Sequence, residues 1–246
     1  MKAIAMTEPN PTGLHGETRV LVVLDQPLLA EVVRLTLNHG MYVTRDASDL
    51  DEATRVLGEW LPHVAVVDLE LVGRKLLQRM GGGGGEATRI PVVAVTRRGD
   101  LKTKLDAFDQ GVDDIMTMPF SPEELLARVL VITRRTYGKH VTLQPVLKLG
   151  DMELDILNRR VRIGEDDLHL TGLEQSLLYL LAANAGQVIS RDQIMDTLWG
   201  VDYAAGSNVV DQHIRSLRSK LQNDWRKPRF IATIPGKGYR FIPTFT

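Results

Sequence analysis

The sequence predicts two successive folded units, a doubly wound α/β unit with a five-stranded parallel sheet and then a smaller α+β unit. Three observations support this: a length of 246 residues, an alternation of short apolar runs with amphipathic segments up to residue 135, and alternating apolar residues after residue 147. A chain of this length is long for one domain and sufficient for two cores. Hydrophobic residues make up 43% and charged residues 25%, which is typical of globular proteins and argues against the membrane and disordered classes.

We expect a disordered tail at residues 1–17, the α/β unit at 18–137, a linker at 138–146 and the α+β unit at 147–246. The tail contains Pro9, Pro11 and Gly13 where a signal peptide would have an apolar core. No apolar run approaches the roughly 20 residues of a membrane span. Cysteine is absent, which excludes disulfides and thiolate chemistry and suits a reducing compartment. These features predict a cytoplasmic protein.

The strands of the first unit are short runs of Val, Ile, Leu and Ala at residues 20–24, 64–67 and 91–95, with weaker candidates at 42–44 and 115–117. Such runs are typical of parallel strands that are buried on both faces. The last helix of the unit has a clear start, with Ser121 as N-cap, Pro122 as first residue and Glu124 three residues after the cap.

A polar residue stands directly after three of these strands. Asp25 follows the strand at 20–24, Asp68 the strand at 64–67 and Thr96 the strand at 91–95. In open parallel sheets the functional crevice lies outside the carboxyl ends of the strands, so these side chains should converge. Two carboxylates and a hydroxyl form a hard-oxygen site suited to Mg²⁺ and a phosphoryl group.

The residues around this site resemble the receivers of two-component response regulators between residues 19 and 135. The matching motifs are Val23-Leu24-Asp25-Gln26-Pro27, Asp68-Leu69-Glu70-Leu71-Val72-Gly73, Val95-Thr96 and Met118-Pro119-Phe120. The resemblance implies that Asp68 accepts a phosphoryl group and that Thr96 then reorients to hydrogen-bond its oxygens. It also implies Mg²⁺ as cofactor, held by Asp25, Asp68 and Glu70.

Three positions depart from the family pattern. Leu24 stands where the family has a second acidic residue, Met118 where it has a lysine that pairs with the acceptor aspartate, and Ile115 where it has an aromatic residue. Phosphoryl transfer depends on positioning and charge stabilisation, so these losses weaken phosphate retention or the switch that follows. Two interpretations stay open: inefficient phosphorylation, or a pseudo-receiver controlled by constitutive dimerisation or another ligand. The run Gly81–Gly85 predicts a flexible connection.

The resemblance also implies a homodimer that forms through the fourth helix, fifth strand and fifth helix. The charged residues that match this face are Lys104, Asp113, Asp114, Glu124 and Arg128. Lys102 stands at a usually acidic position opposite Arg135, and these like charges weaken one contact between the copies.

The second unit begins with apolar residues that alternate at 147–149, 152–156, 161–163 and 168–170, which predicts a small antiparallel sheet. Three helices should follow, because three pairs have the spacing of an N-cap and its third helical residue. The pairs are Thr171 with Glu174, Ser190 with Gln193, and Asn208 with Asp211. A hairpin follows, in which residues 230–234 and 239–242 flank a turn at 235–238. This order predicts a winged helix-turn-helix.

The third helix has the pattern of a DNA-reading helix. Its apolar residues Val210, Ile214, Leu217 and Leu221 are spaced to form one stripe, and the other side is cationic and polar. Residues 208–240 contain eight Lys or Arg against two Asp, whereas residues 147–207 contain five basic against ten acidic residues. A concentrated positive face attracts the phosphate backbone of double-stranded DNA.

Residues 147–246 resemble the effector domain of the OmpR/PhoB family, in the runs "LTGLEQSLLYLLAANAGQVISRDQIMDTLWG", "NVVDQHIRSLRSKL" and "GKGYRFIP". The resemblance implies that Gln212 and Ser216 face base edges, and that Val209, His213, Arg215 and Arg218 lie near the sugar-phosphate backbone. The full expected DNA-binding set is Asn208, Val209, Gln212, His213, Arg215, Ser216, Arg218, Lys220, Thr233, Lys237, Tyr239 and Arg240. Pro235 replaces a wing arginine, which leaves Lys237 or Arg240 as substitutes, and packing is the more frequent role of Tyr239.

These features predict a sequence-specific, DNA-binding transcription regulator whose receiver-like unit controls pairing of its DNA-binding units. The resemblance implies a sensor histidine kinase and RNA polymerase as further partners. The alternative is a small phosphotransferase or phosphatase that uses Asp25 and Asp68. No general base, nucleophile with a partner or substrate motif accompanies these carboxylates, so we do not predict an enzyme.

Overall fold

A computed structural model describes residues 17–39, 42–81, 89–138, 146–156, 158, 160–200 and 208–242. Residues 1–16 of the predicted tail, 82–85 of the glycine run and 139–145 of the predicted linker lie outside the described residues. Along the described stretches, no helix combines the length and apolar character needed to cross a membrane.

The first part is a five-stranded parallel sheet, as the sequence predicts, and the structure gives its strand order as β2-β1-β3-β4-β5. Its strands are β1 (Thr18–Val23), β2 (Tyr42–Ala47), β3 (Val64–Asp68), β4 (Val92–Thr96) and β5 (Asp114–Thr117). Its helices are α1 (Pro27–His39), α2 (Leu50–Trp60), α3 (Arg74–Met80), α4 (Leu101–Asp109) and α5 (Pro122–Tyr137). Every residue of β3 and β4 is buried, because helices cover both faces of a doubly wound sheet.

The predicted start of α5 is confirmed in atomic detail. The Ser121 side chain accepts a 3.2 Å hydrogen bond from the backbone N–H of Glu124, and Pro122 is the first helical residue. The strand β2 extends to Ala47, three residues beyond the prediction. It lies at the edge of the sheet and exposes Val43 and Arg45, so its composition lacks the apolar run that marks the central strands.

In its described residues, the second part contains a four-stranded antiparallel sheet, three helices and a three-stranded sheet, as expected of a winged helix-turn-helix. Its first sheet is formed by β6 (Val146–Leu149), β7 (Met152–Asp155), β8 (Arg160–Ile163) and β9 (Asp166–His169). The helices are α6 (Gly172–Ala183), α7 (Arg191–Leu198) and α8 (Asn208–Lys220). The wing is the antiparallel pair β11 (Ile231–Ile234) and β12 (Gly238–Phe241). A short strand that the sequence did not predict, β10 (Val188–Ile189), pairs with β12 and completes the three-stranded sheet.

Two of the three predicted caps are confirmed. Thr171 with Glu174 and Ser190 with Gln193 form reciprocal capping boxes at the starts of α6 and α7. The third prediction is corrected, because α8 already begins at Asn208 and this residue is therefore helical. In the wing, Gly238 is required by space as well as by its φ of 139°, since a Cβ atom there would lie 2.1 Å from the Ile189 carbonyl oxygen.

The helix α6 packs on α1 and α5 of the first part as well as on α7 and α8. Its residues Leu177, Tyr179 and Leu180 are each 0% exposed. The Ser176 hydroxyl donates a 2.8 Å hydrogen bond to the carbonyl oxygen of Phe120, just before α5. One apolar core therefore runs from the parallel sheet into the winged-helix part.

Candidate nucleic-acid interface and acidic pocket

The helix α8 is anchored along one side, which leaves the other side free to face a ligand. Val210, Ile214 and Leu217 are at most 1% exposed and pack into the core beside α6. Gln212 and Arg215 are exposed on the opposite side. An amide and a guanidinium on a rigid, outward-facing helix are groups that read base edges and bind phosphates.

A buried carboxylate on α6 holds the middle of α8 in place. Glu174 is 4% exposed, and its two oxygens accept hydrogen bonds of 2.7 Å from the Ser216 hydroxyl and 2.6 Å from the Lys220 ammonium. Burial acts to raise the pKa of Glu174, but bonds from Lys220, the Thr171 N–H and Ser216 outweigh it and lower that pKa. Both Ser216 and Lys220, expected to contact DNA, thus have partners within the protein.

Arg218 and Tyr239 join α8 to the wing. The Arg218 guanidinium donates hydrogen bonds to the Ile231 carbonyl oxygen at 2.9 Å and to the Thr233 hydroxyl at 2.8 Å. Tyr239 is 4% exposed, and its hydroxyl donates a 2.6 Å hydrogen bond to Asp211. Tyr239 is therefore held within the protein, as its packing role requires, and its contact with DNA stays a prediction.

The remaining predicted DNA-contacting residues lie on the same side of α8 or on the wing. Three of them are exposed: Lys237 in the turn of the wing, Thr233 on β11 and Asn208 at the start of α8. Val209, His213 and Arg240 are half-buried. The His213 ring lies 5.7 Å from the Trp199 ring, which places it against α7 rather than in a metal site.

Sequence reasoning missed Asn223, the residue that fixes the start of the wing. Its side-chain oxygen accepts hydrogen bonds from the backbone N–H groups of Arg229, Phe230 and Ile231 at 3.0, 2.7 and 3.2 Å. Its side-chain nitrogen donates a 3.1 Å bond back to the Ile231 carbonyl oxygen. A single Asn in a loop carries no pattern that would reveal this bonding in advance.

At the carboxyl ends of the parallel strands, the predicted residues come together in an acidic pocket of Asp25, Asp68, Glu70 and Thr96. Asp68 is 3% exposed, and its carboxylate accepts a 2.8 Å bond from the Glu70 N–H. The Thr96 hydroxyl donates a 2.6 Å bond to the Glu70 carboxylate. The convergence expected from the topology is thus present.

A side chain outside the prediction, Arg97, lies among these carboxylates. Its guanidinium nitrogens are 3.1 Å from Asp68, 3.7 Å from Glu70 and 3.8 Å from Asp25. The side chain is only 16% exposed. The sequence signal was a basic residue directly after Thr96, at a strand end where every side chain borders the crevice.

Arg97 lies where Mg²⁺ was expected, so the observed arrangement of Asp25, Asp68 and Glu70 does not fit this ion. All three carboxylates share the Arg97 guanidinium, and no group of three or more His, Asp or Glu side chains within the described residues has the arrangement of a metal site. Burial raises the pKa of Asp68, and Arg97 offsets part of that rise. The neighbouring positions that lack charged groups, Leu24 and Met118, are buried at 3% and 8% exposure.

The predicted dimer face is charged and partly apolar. Arg128 pairs within its own chain with Asp114 and with Glu124, each at 2.7 Å. Asp113 pairs with Arg89 at 2.6 Å.

The helix α4 adds an exposed apolar stripe to this face, beside Lys104. The stripe comprises Leu101, Leu105 and Phe108, which are 71%, 54% and 47% exposed.

Two family models match the chain. The model described as the response regulator receiver domain matches residues 20–130, and the model described as the transcriptional regulatory protein, C terminal, matches residues 164–241. Each match falls on one of the two parts seen in the structure.

Several known proteins are similar to this chain over most of its length. The transcriptional regulatory protein KdpE of Mycobacterium tuberculosis is 33% identical over 224 residues, which cover 91% of this chain and 99% of the relative. The phosphate regulon transcriptional regulatory protein PhoB of Escherichia coli is 33% identical over 229 residues, which cover 92% of this chain and 99% of the relative. The solved structure of the response regulator DrrB of Thermotoga maritima is 28% identical, covers 92% of this chain and all of its own, and has a TM-score of 0.44.

Proposed function

Because the chain belongs to the OmpR/PhoB family of response regulators, which are DNA-binding regulators of transcription, we propose that α8 lies in the major groove and that Gln212 and Arg215 are its principal contacts. The observation that carries this proposal is their exposure opposite the buried stripe of α8. Gln212 has the donor and acceptor needed to pair with adenine, whereas Arg215 supplies a charge to the phosphates.

The wing adds a second contact. Lys237 is exposed at its turn and belongs to the same basic segment of the chain, residues 208–240, as α8. Arg218 acts differently, since its guanidinium is already bonded to Ile231 and Thr233 and so fixes the wing relative to α8. Within this proposal Arg218, Ser216 and Lys220 position the interface, while Gln212, Arg215 and Lys237 make the contacts.

A homodimer is the form that we propose for binding to repeated half-sites. The support is the exposed stripe Leu101, Leu105 and Phe108 on α4, which a second copy can cover. Linking two weakly binding modules raises the effective concentration of the second, so that control of pairing becomes control of DNA affinity.

Other implications of the family stay predictions. Receiver domains generally bind Mg²⁺ at the phosphorylation site, but Arg97 occupies the corresponding pocket in this chain. The sequence alone also supports two partners, a sensor histidine kinase and RNA polymerase. It is likewise the sole basis for a cytoplasmic location, for the absence of enzymatic activity and for the division of the chain at residues 18–137 and 147–246. No observation supports the phosphatase alternative.

The test of the DNA interface uses duplexes selected from a random library by the wild-type protein, with an unselected duplex for comparison. Gln212→Ala should lose about tenfold or more in preference for the selected duplex, with little change on the unselected one. Arg215→Ala should weaken binding to both duplexes and reduce the slope of log affinity against log salt by about 1. Fluorescence anisotropy titrations at several salt concentrations give these quantities.

Arg55→Ala is the matched control, because this exposed arginine lies on α2 of the receiver part. It should leave affinity and salt slope unchanged. Equal losses for Gln212→Ala, Arg215→Ala and Arg55→Ala would contradict the proposed interface.

A further inference from the structure

The acidic pocket contains its own cation. The Arg97 guanidinium is held by three carboxylates from the ends of two strands and the loop that follows one of them, at 3.1 Å from Asp68, 3.7 Å from Glu70 and 3.8 Å from Asp25. Its Nε atom is buried without a hydrogen-bond partner, so the head group has been withdrawn from water to make these contacts. A buried guanidinium is retained where carboxylates offset the loss of its hydration.

The same side chain touches the winged-helix part. A Cβ atom placed on Gly200, just after α7, would lie 3.3 Å from both Cγ and Cδ of Arg97. The backbone of Gly200 therefore lies against the aliphatic portion of Arg97, while the guanidinium faces the pocket. Gly200 is buried and has a φ of +88°, which suits glycine at this close approach.

We propose that Arg97 is a resident cation that takes the place of a divalent metal in the acidic pocket and, through its stem, holds the end of α7 against the receiver part. A divalent ion and a guanidinium cannot share three carboxylates at these distances without strong repulsion between like charges. The inference concerns the pocket and the contact between the two parts, so it stands whichever side chains of α8 touch DNA.

Two substitutions separate the two roles of Arg97. Arg97→Gln removes the charge and keeps much of the stem, whereas Arg97→Ala removes both. Arg98→Ala is the matched control, because Arg98 is the adjacent arginine and is exposed. The full-length protein is used throughout, and far-ultraviolet circular dichroism establishes that each variant is folded.

Isothermal titration with MgCl₂ measures the first role. The wild type and Arg98→Ala should show no saturable Mg²⁺ binding in the millimolar range. Arg97→Gln and Arg97→Ala should bind Mg²⁺ saturably, with an affinity at least about tenfold higher than that of the wild type. Adding Asp25→Asn to Arg97→Gln should remove the gained binding. Saturable binding by the wild type, at the affinity of the Arg97 variants, would overturn the proposal even if Arg97→Ala failed to fold.

Hydrogen exchange followed by mass spectrometry measures the second role. The amides of Trp199 and Gly200 close the end of α7 by bonding to Met195 and Asp196 at 2.8 and 3.1 Å. They should exchange several-fold faster in Arg97→Ala than in Arg98→Ala, with Arg97→Gln close to the control. Equal exchange in folded Arg97→Ala and in the control would overturn the link to α7.

Discussion

The Ser216 hydroxyl donates a 2.7 Å hydrogen bond to the buried carboxylate of Glu174, and this bond ties the middle of α8 to α6. Lys220 reaches the other oxygen of the same carboxylate one turn further along α8. The orientation of the proposed DNA-reading helix thus depends on one charged group in α6, beyond the apolar stripe that packs below it.

Replacing this carboxylate should loosen α8. Glu174→Gln keeps the size of the side chain but removes the negative charge, so the charge-assisted hydrogen bond from Lys220 becomes a bond to a neutral amide oxygen. We expect a loss of about 1–3 kcal/mol in the free energy of unfolding, because hydrogen bonds to charged groups contribute more than neutral ones and Lys220 loses the charge that pairs with it. Urea denaturation monitored by circular dichroism measures this loss. Glu165→Gln, on an exposed turn between β8 and β9, is the control, and equal stability of both variants would contradict the role of Glu174.

The stability contributed by Glu174 should depend on pH. Its pKa in the folded protein is lowered from an ordinary value of 4.5, so the ionised form is favoured by folding. The contribution is therefore fully present above pH 4.5 and is lost as the pH falls below that value through the folded pKa. The difference in unfolding free energy between wild type and Glu174→Gln should shrink across this range. A difference that stays constant from neutral pH to below pH 4.5 would show that charge is not its source.

Local signals in the sequence predicted much of this fold. The caps at Ser121, Thr171 and Ser190 are formed by residues three positions apart, so their chemistry is visible along the chain. The stripe of α8 follows from helical periodicity and the central parallel strands from short continuous apolar runs, both of which are local patterns. The cap expected at Asn208 was wrong by position, since α8 begins at that residue.

What the sequence could not predict depends on contacts between distant residues. Arg97 acquires its role only when strand topology brings it beside Asp25 and Asp68. The hydrogen bond from Tyr239 to Asp211 likewise depends on how the wing packs on α8. The burial of α6 between the two parts is visible in the sequence of its second half, because residues 177–183 are all apolar or aromatic and need partners on several sides.

The exposed stripe on α4 should be the most sensitive part of the dimer face. Leu105→Glu places a charge at its centre, and the loss of a buried leucine corresponds to about 1.5–3 kcal/mol, or roughly a ten- to hundredfold weaker association. Sedimentation velocity over a range of protein concentrations measures this change. Leu50→Glu, at another exposed leucine on α2, should leave association unchanged; a dimer unaffected by Leu105→Glu would place the interface elsewhere.

The wing should depend on Asn223. Asn223→Ala removes the acceptor for three backbone N–H groups, two of which belong to the buried residues Phe230 and Ile231. We expect a loss of about 2–4 kcal/mol, since each unsatisfied buried donor costs about 1–3 kcal/mol and relaxation recovers a part. Thermal unfolding followed by circular dichroism measures it. Asn158→Ala, in an exposed turn of the first sheet, should cost much less, and similar melting temperatures for the two variants would refute the role of Asn223.

Control of this regulator should be insensitive to small phosphodonors. The Asp68 carboxylate is buried and paired with Arg97, and the neighbouring Leu24 and Met118 supply neither a metal ligand nor an ammonium group. Because phosphoryl transfer depends on positioned charge at the attacking and leaving oxygens, we expect acetyl phosphate with Mg²⁺ to leave the intact mass of the protein unchanged. Oligomeric state and DNA affinity should then be the same for the wild type with or without acetyl phosphate and for Asp68→Asn. A mass increase of one phosphoryl group that disappears in Asp68→Asn would show instead that Arg97 gives way to the donor and that Asp68 remains an acceptor.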